Sequence, residues 1–246
     1  MNMKLFAVLL ILPLLASANV FAGWELDLES GGVFGGYNDV QIPRETGTEI
    51  SLTDDLELDS KLFFRARLNW NINEKHTLSL FAAPLSINAK GQVDKEVLFE
   101  GTTFPEDTPL EALYRFDSYR LTYRYNFHRK ENLTIGVGFT AKIRDAEVML
   151  ESSEQKSTKT NTGFVPLINF RLEWLFATQF SLLLEGDALA APQGRAEDVF
   201  LGLMYDPVKR LGLKFGYRIL EGGADVEEVY NFALLHYISF GAVIRF

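Results

Sequence analysis

Between Phe232 and Phe246 the side chains sort into two sets by position alone. Phe232, Leu234, Ile238, Phe240, Ala242, Ile244 and Phe246 fall on one face of an extended strand, and Ser239, Gly241 and Arg245 fall on the other. Successive side chains of a strand point to opposite sides, so this spacing describes one greasy face and one small or polar face. That arrangement suits a strand whose outside meets lipid and whose inside lines a lumen.

The same alternation recurs in ten segments, at residues 24–37, 60–72, 76–88, 115–127, 133–150, 163–175, 179–189, 197–205, 211–220 and 231–246. The separators after even-numbered segments are tight, at residues 73–75, 128–132, 176–178 and 206–210, each short enough for a hairpin. Those after odd-numbered segments are longer on average, and include residues 38–59, 89–114, 151–162 and 221–230. Short turns at one end, long loops at the other and an even strand count predict an all-β, antiparallel, up-and-down transmembrane β-barrel of ten strands. Eight strands, with two segments folded into loops, is the alternative. A soluble lipocalin-like barrel would instead put the apolar face inside and the charged face outside.

Strand by strand, the polar face is rich in charge. Phe64, Ala66, Leu68 and Trp70 alternate with Arg65, Arg67, Asn69 and Asn71, and Tyr119, Leu121, Tyr123 and Tyr125 alternate with Ser118, Arg120, Thr122 and Arg124. Lys142 and Arg144, Arg171, and Lys214 and Arg218 continue the cationic set on later strands. Glu25, Asp27, Glu29, Glu173, Glu185, Asp187 and Asp198 supply carboxylates on the same face. A barrel this narrow is filled by its own side chains, and a buried ion without a partner is costly, so near-complete pairing into a plug is expected. The other use of these residues is a conduit weakly preferring anions, because the cations outnumber the acids. The alternation changes phase at Asp145, Ala146 and Glu147, which reads as a β-bulge or as strand emerging beyond the lipid. Trp24, Trp70, Tyr125, Phe127, Trp174, Phe176, Phe180, Tyr205 and Phe246 gather at the short-turn end, the placement of an aromatic girdle.

Composition agrees with the strand pattern. Hydrophobic residues make up 47% of the chain, ordinary for a soluble protein, because alternation averages out the hydropathy of each strand. Residues 1–22 read as a cleaved secretory signal, with Lys4 as the charged region, an apolar run from Leu5 to Leu15, and small residues before Gly23, leaving residues 23–246 as one barrel domain. With no cysteine there is neither a disulfide nor a thiol for lipid attachment. The net charge of −9 becomes −10 when Lys4 is removed, and this sign argues against a nucleic-acid partner.

The long loops carry Asp39, Glu45, Glu49, Asp54, Asp55, Glu57 and Asp59, then Asp94, Glu96, Glu100, Glu106, Asp107 and Glu111. A solvated, repulsive surface is the first reading of this cluster, with Ca²⁺ held by Asp54 and Asp55 as a second. No spacing matches an EF-hand, a phosphate-binding loop, a dinucleotide fingerprint or a zinc site, so no metal or other cofactor is expected. His76 and His128 fall at predicted turns. His236 and Ser239 fall on opposite faces of one strand, leaving no material for a nucleophile and base. Gly31, Gly32, Gly35 and Gly36 read as bends or close strand approaches.

The terminal segment, with Phe246 last and Phe240 in its outward row, resembles the closing strand of bacterial outer-membrane β-barrel proteins. That resemblance implies the Gram-negative outer membrane, with termini and short turns periplasmic. It also implies contact with membrane lipid and lipopolysaccharide, and assembly by periplasmic chaperones and the barrel-insertion machinery, with Phe240 and Phe246 as the assembly signal. The chain is similar to the omptin-like proteases in strand number, but no aspartate-x-histidine pair matches their motif, and no enzyme is expected. A monomeric, plugged barrel with a structural or surface-recognition role is the leading expectation. A narrow-pore porin or transport channel comes second, and a lipid- or peptide-modifying enzyme is a distant third.

Overall fold

The computed structural model describes residues 23–246, so the predicted signal at residues 1–22 lies outside the described residues. The chain runs through β1 (Gly23–Gln41), β2 (Ile50–Ser51), β3 (Glu57–Leu58), β4 (Lys61–Asn71), β5 (His76–Ala83), β6 (Ser86–Gln92), β7 (Val97–Phe99) and β8 (Thr102–Phe104). It continues through β9 (Pro109–Lys130), β10 (Leu133–Glu151), β11 (Lys156–Ala177), β12 (Phe180–Ala191), β13 (Gly194–Val208), β14 (Leu211–Val226) and β15 (Val229–Arg245). Ten of these close a barrel in the order β10, β11, β12, β13, β14, β15, β1, β4, β5, β9, with β9 returning to β10. β6 continues the line of β5 along β9 after a break at Pro84 and Leu85. Each strand is antiparallel to its neighbours, and β15 meets β1 from Glu25↔Arg245 to Gln41↔Tyr230. The strand count is ten, not eight.

The exterior excludes a soluble barrel. Phe64, Tyr119, Leu121, Phe139, Ile143, Leu201, Phe215 and Phe240 all point outward and are exposed, while Arg65, Arg120, Thr140, Asp198 and Lys214 point inward and are buried. A continuous apolar belt of this kind is satisfied by hydrocarbon and not by water. At the short-turn end Trp24 stacks on Trp70 at 5.8 Å, and Trp174, Phe176, Phe180 and Tyr205 follow one another at 5.9, 6.4 and 4.8 Å. The four turns there occupy residues 72–75, 131–132, 178–179 and 209–210.

At the opposite end only residues 42–60 and 93–108 remain as long excursions, carrying β2, β3, β7 and β8. The expected loops at 151–162 and 221–230 are instead strand, paired from Glu151↔Lys156 and Val226↔Val229 onward. Polar residues outside the lipid still pair their backbones, so the sheet outruns the membrane-type alternation.

The predicted phase change at Asp145 is a change of chemistry, not a bulge. β10 keeps unbroken register there with both neighbours, Asp145 lying opposite Asp117 and Thr162. Even-numbered residues stay inward, passing from Thr140 and Lys142 to Ala146, Val148 and Leu150, while Asp145 and Glu147 take the outside. β9 does the same, with Arg120 and Ser118 giving way to Tyr114, Ala112 and Leu110. Beyond the belt the barrel is therefore inverted, apolar within and polar without. Ile42, Ile50, Leu52, Val97, Phe99 and Phe104 of the two excursions pack with these inward residues as a conventional hydrophobic core. The register shifts that do occur lie at Gly35/Tyr37, Ile135/Gly136, Leu175/Ala177 and Tyr205/Val208. At Gly31 a Cβ would lie 2.0 Å from the Ile238 carbonyl oxygen, the close approach that its glycine permits.

Depth should set the cost of an outward charge. Leu121→Arg, within the belt, is expected to destabilise the barrel by roughly 2 to 4 kcal/mol, and Thr158→Arg, outward but beyond it, by about 1 kcal/mol or less. Denaturant unfolding from lipid vesicles measures both, and equal losses would misplace the belt.

Candidate functional site

The inward charges meet around two carboxylates. Asp198 on β13 accepts from Arg120 Nη2 at 2.5 Å, from Arg218 Nη1 at 2.7 Å and from Arg65, so three guanidinium groups share one carboxylate. Glu29 on β1 takes Arg218 at 2.8 Å, Lys214 at 3.0 Å and Arg65 at 3.9 Å. Asp187 binds Arg120 at 2.7 Å and also accepts from Thr140 and Asn169. Lys214 reaches Asp27 at 2.7 Å, while Glu185 bridges Arg67 at 3.1 Å and Arg171 at 2.6 Å. Toward the short-turn end Arg171 also holds Glu173 at 2.9 Å, and Arg245 joins Glu25 at 3.2 Å to Asp206 at 2.6 Å.

Strand pairing places these partners. Glu29 lies opposite Arg65, Asp27 opposite Arg67, and Arg171 opposite Glu185, so several attractions are cross-strand neighbours. Arg218 and Asp198 are each 2% exposed. Charges so far from water gain by mutual attraction what they lose in hydration only when their hydrogen bonds are nearly all made.

Two aromatic residues that the sequence reading passed over complete the packing. Phe81 lies beneath Arg65, Arg67 and Arg120 at 5.0, 5.1 and 4.8 Å, and Phe200 lies beneath Lys214 and Arg218 at 5.4 and 5.1 Å. Both have the parity of inward polar neighbours, Ser79 for Phe81 and Asp198 for Phe200, which is the signal that marks them. A ring face favours a cation, most strongly where both are shielded from water.

Pairing is not complete, contrary to expectation. Among the described residues Arg124, Lys142 and Arg144 make no ion pair, although the first two are buried. Lys142 lies opposite Arg120 on one side and Val165 on the other, Arg144 opposite Ser118 and Gly163, and Arg124 opposite Gly138 and Thr77, so no carboxylate is a cross-strand neighbour of any of them. Lys142 instead sits 4.7 Å from the Phe116 ring centre, and Arg144 donates one amino group to Asn161.

The remaining candidates are placed elsewhere. Asp55 accepts the Ser51 N–H and pairs with Lys95 at 3.1 Å, so its charge is taken up within the loop. Among the described residues no group of three or more acidic, histidine or cysteine side chains is arranged to hold a metal ion. His76 bonds Tyr123 Oη at 2.7 Å, and His236 bonds Tyr217 Oη. His128 lies within β9. Phe240 and Phe246 are both exposed, with Phe240 against Phe215 at 4.8 Å.

No family model matches the chain, and no curated protein matches it. Solved structures do. The outer membrane protease OmpT of Escherichia coli superimposes with a TM-score of 0.52 at 8% identity, over 94% of this chain and 99% of its own. The fold is that of an outer-membrane β-barrel. Ail, the attachment invasion locus protein of Yersinia pestis, in complex with the heparin analogue sucrose octasulfate, matches over 91% of this chain and 99% of its own, with 11% identity and a TM-score of 0.43. Neisserial surface protein A matches over 92% and 97%, with 12% identity and a TM-score of 0.33.

Removing the shared carboxylate should be severe. Asp198→Ala leaves three guanidinium groups without their common acceptor, an expected loss of roughly 3 to 5 kcal/mol. Asp225→Ala breaks the exposed pair with Arg44 and should lose no more than about 1 kcal/mol. A comparable shift in guanidinium unfolding for the two variants would argue against an organising role for Asp198.

Proposed function

We propose that this protein is an integral barrel of the Gram-negative outer membrane whose lumen is closed by its own ion-pair network, with a structural or surface-recognition role. The observation that carries this reading is the convergence of Arg65, Arg120 and Arg218 on Asp198. It draws side chains from β4, β9, β13 and β14 to one point inside the barrel. At this junction Arg218 and Asp198 are almost wholly shielded from water, and the junction resists rearrangement because each group lost strands another charge. The short turns and termini face the periplasm in this reading, and the capped end, with its acidic loops, faces outward among lipid and lipopolysaccharide. The barrel acts as a monomer without cofactor or catalysis. In support, the bonds of His76 and His236 run to tyrosines and to no serine or carboxylate.

A narrow anion-preferring channel is the second reading, favoured by the unpaired cations Arg124, Lys142 and Arg144 on adjacent strands. Single-channel recording of the purified residues 23–246 in a planar bilayer separates the two. Silence from folded barrel is expected, whereas steady steps whose selectivity changes in the double variant Arg120→Ala, Arg124→Ala would make the lumen a conduit.

Assembly by periplasmic chaperones and the insertion machinery would read the outward row of β15, including Phe240, and Phe246 beyond it. Deleting Phe246 is therefore expected to lower the heat-modifiable barrel recovered in the membrane fraction. Unchanged recovery would remove Phe246 from that role.

A further inference from the structure

Beyond the ion-pair network the lumen widens into a chamber of about 520 Å³, a volume typical of small-molecule sites. Its surface is mostly apolar, from Tyr114, Val165, Leu189, Leu220, Ala233 and Leu235 among others. The wall beside it is interrupted. The ladder between β11 and β12 stops at Ile168↔Ala188, although β11 runs on to Lys156 and β12 to Ala191. β11 keeps its other partner throughout, reaching Glu151↔Lys156 with β10. Pro166, just past the last β12 pair, has no N–H to extend the ladder. The opening starts beside exposed Ile168 of the apolar belt, and exposed Phe164 and Leu189 stand at its rims.

The chamber also holds charge of one sign that no carboxylate offsets among the described residues. Lys142 is 2% exposed, lines the cavity, and among the described residues has no hydrogen bond or ion pair. Arg144 lines it too, and its buried Nε has no acceptor. The other ionic groups on the lining are engaged or in water: Lys159 with Glu100 at 3.1 Å, Arg195 with Glu221 at 2.7 Å, Glu147 with Arg115 at 3.0 Å, and Glu228 exposed. A buried ammonium beside an apolar cavity is matched by an anion that brings its own apolar body.

We propose that this chamber binds a single-chain amphiphile with one anionic head group, admitted sideways through the gap between β11 and β12. The chain lies along the apolar lining, and the carboxylate or phosphate pairs with Lys142 and Arg144. The sideways route rests on the membrane-embedded reading above, whereas the pairing rests on the chamber alone.

The test uses residues 23–246 refolded into phosphatidylcholine nanodiscs and titrated calorimetrically with dodecanoate, dodecyl phosphate and dodecyltrimethylammonium, with partition into empty nanodiscs subtracted. Saturable binding of one or both anions, but not of the cation, is expected, and the tighter anion identifies the head group. The double variant Lys142→Met, Arg144→Met should weaken that binding by about tenfold or more. Its unfolding midpoint should be unchanged or raised, since the charges removed had no ion pair among the described residues. Ala146→Trp, which fills the chamber and keeps both cations, should weaken binding as well and serves if the methionine variant does not fold. Equal binding of the cation, undiminished binding in the variants, or no saturable binding by folded barrel would overturn the proposal. A barrel silent in the planar bilayer that binds no amphiphile refutes the site and leaves the sealed lumen standing. One that conducts and still binds through Lys142 and Arg144 does the reverse.

Discussion

A strand crossing hydrocarbon can satisfy its backbone amides only on the next strand, and that constraint governs this barrel. Around the ring each strand is bonded to a neighbour on both sides, and the ring closes where β15 meets β1. Closure forces alternate side chains into a narrow interior, where the arginines and carboxylates of β1, β4, β9, β12, β13 and β14 must neutralise one another. The network around Asp198 and Glu29 is thus a consequence of a closed backbone in an apolar medium. The ladder between β11 and β12 stops at the edge of the belt, near which Thr158, Thr160 and Thr162 take over the exposed positions of β11, and the ladder between β4 and β5 stops at Ala66↔Ala82, short of the start of β4 at Lys61.

β9 and β10 serve two surroundings without a change of register where they pass from one to the other, whereas β1 shifts by one residue at Gly35/Tyr37. On β9 and β10 the inward parity is constant, yet it carries Arg120 and Lys142 at one level and Ala112 and Leu150 at another. Inside the membrane the polar groups turn inward because the outside is oil. Beyond it the apolar groups turn inward because the outside is water. The excursions at 42–60 and 93–108 add Ile50, Phe99 and Phe104 to this second core, so the far end of the barrel is built as a water-soluble domain would be.

Much of the architecture was legible in the residues, and the misses share a cause. Alternation across segments such as 115–127 located the strands because a lipid face and a lumen face differ sharply in polarity. It failed at 151–162 and 221–230, where both faces are mixed although the backbone ladder continues. Asp145 and Glu147 left two readings open, a bulge or strand emerging beyond the lipid, because sequence shows which chemistry alternates, not which medium lies outside, and the unbroken register of β10 decides for the second. Arg65, Arg120 and Asp198 could be assigned to one interior by parity. The lack of a carboxylate beside Lys142 could not, since it depends on Arg120 and Val165 being its neighbours across β9 and β11.

The sequence by itself determined the closed transmembrane barrel, its ten strands, its short-turn end and the sign of each face, because these follow from a two-residue period and turn spacing that are local properties. Only the tertiary structure decided which ions meet, that Phe81 and Phe200 lie beneath them, that the long excursions form a core, and that the wall opens beside an unpaired Lys142. Those outcomes depend on stagger between strands far apart in sequence, and a shift of two residues between neighbours would preserve every local pattern while changing every partner.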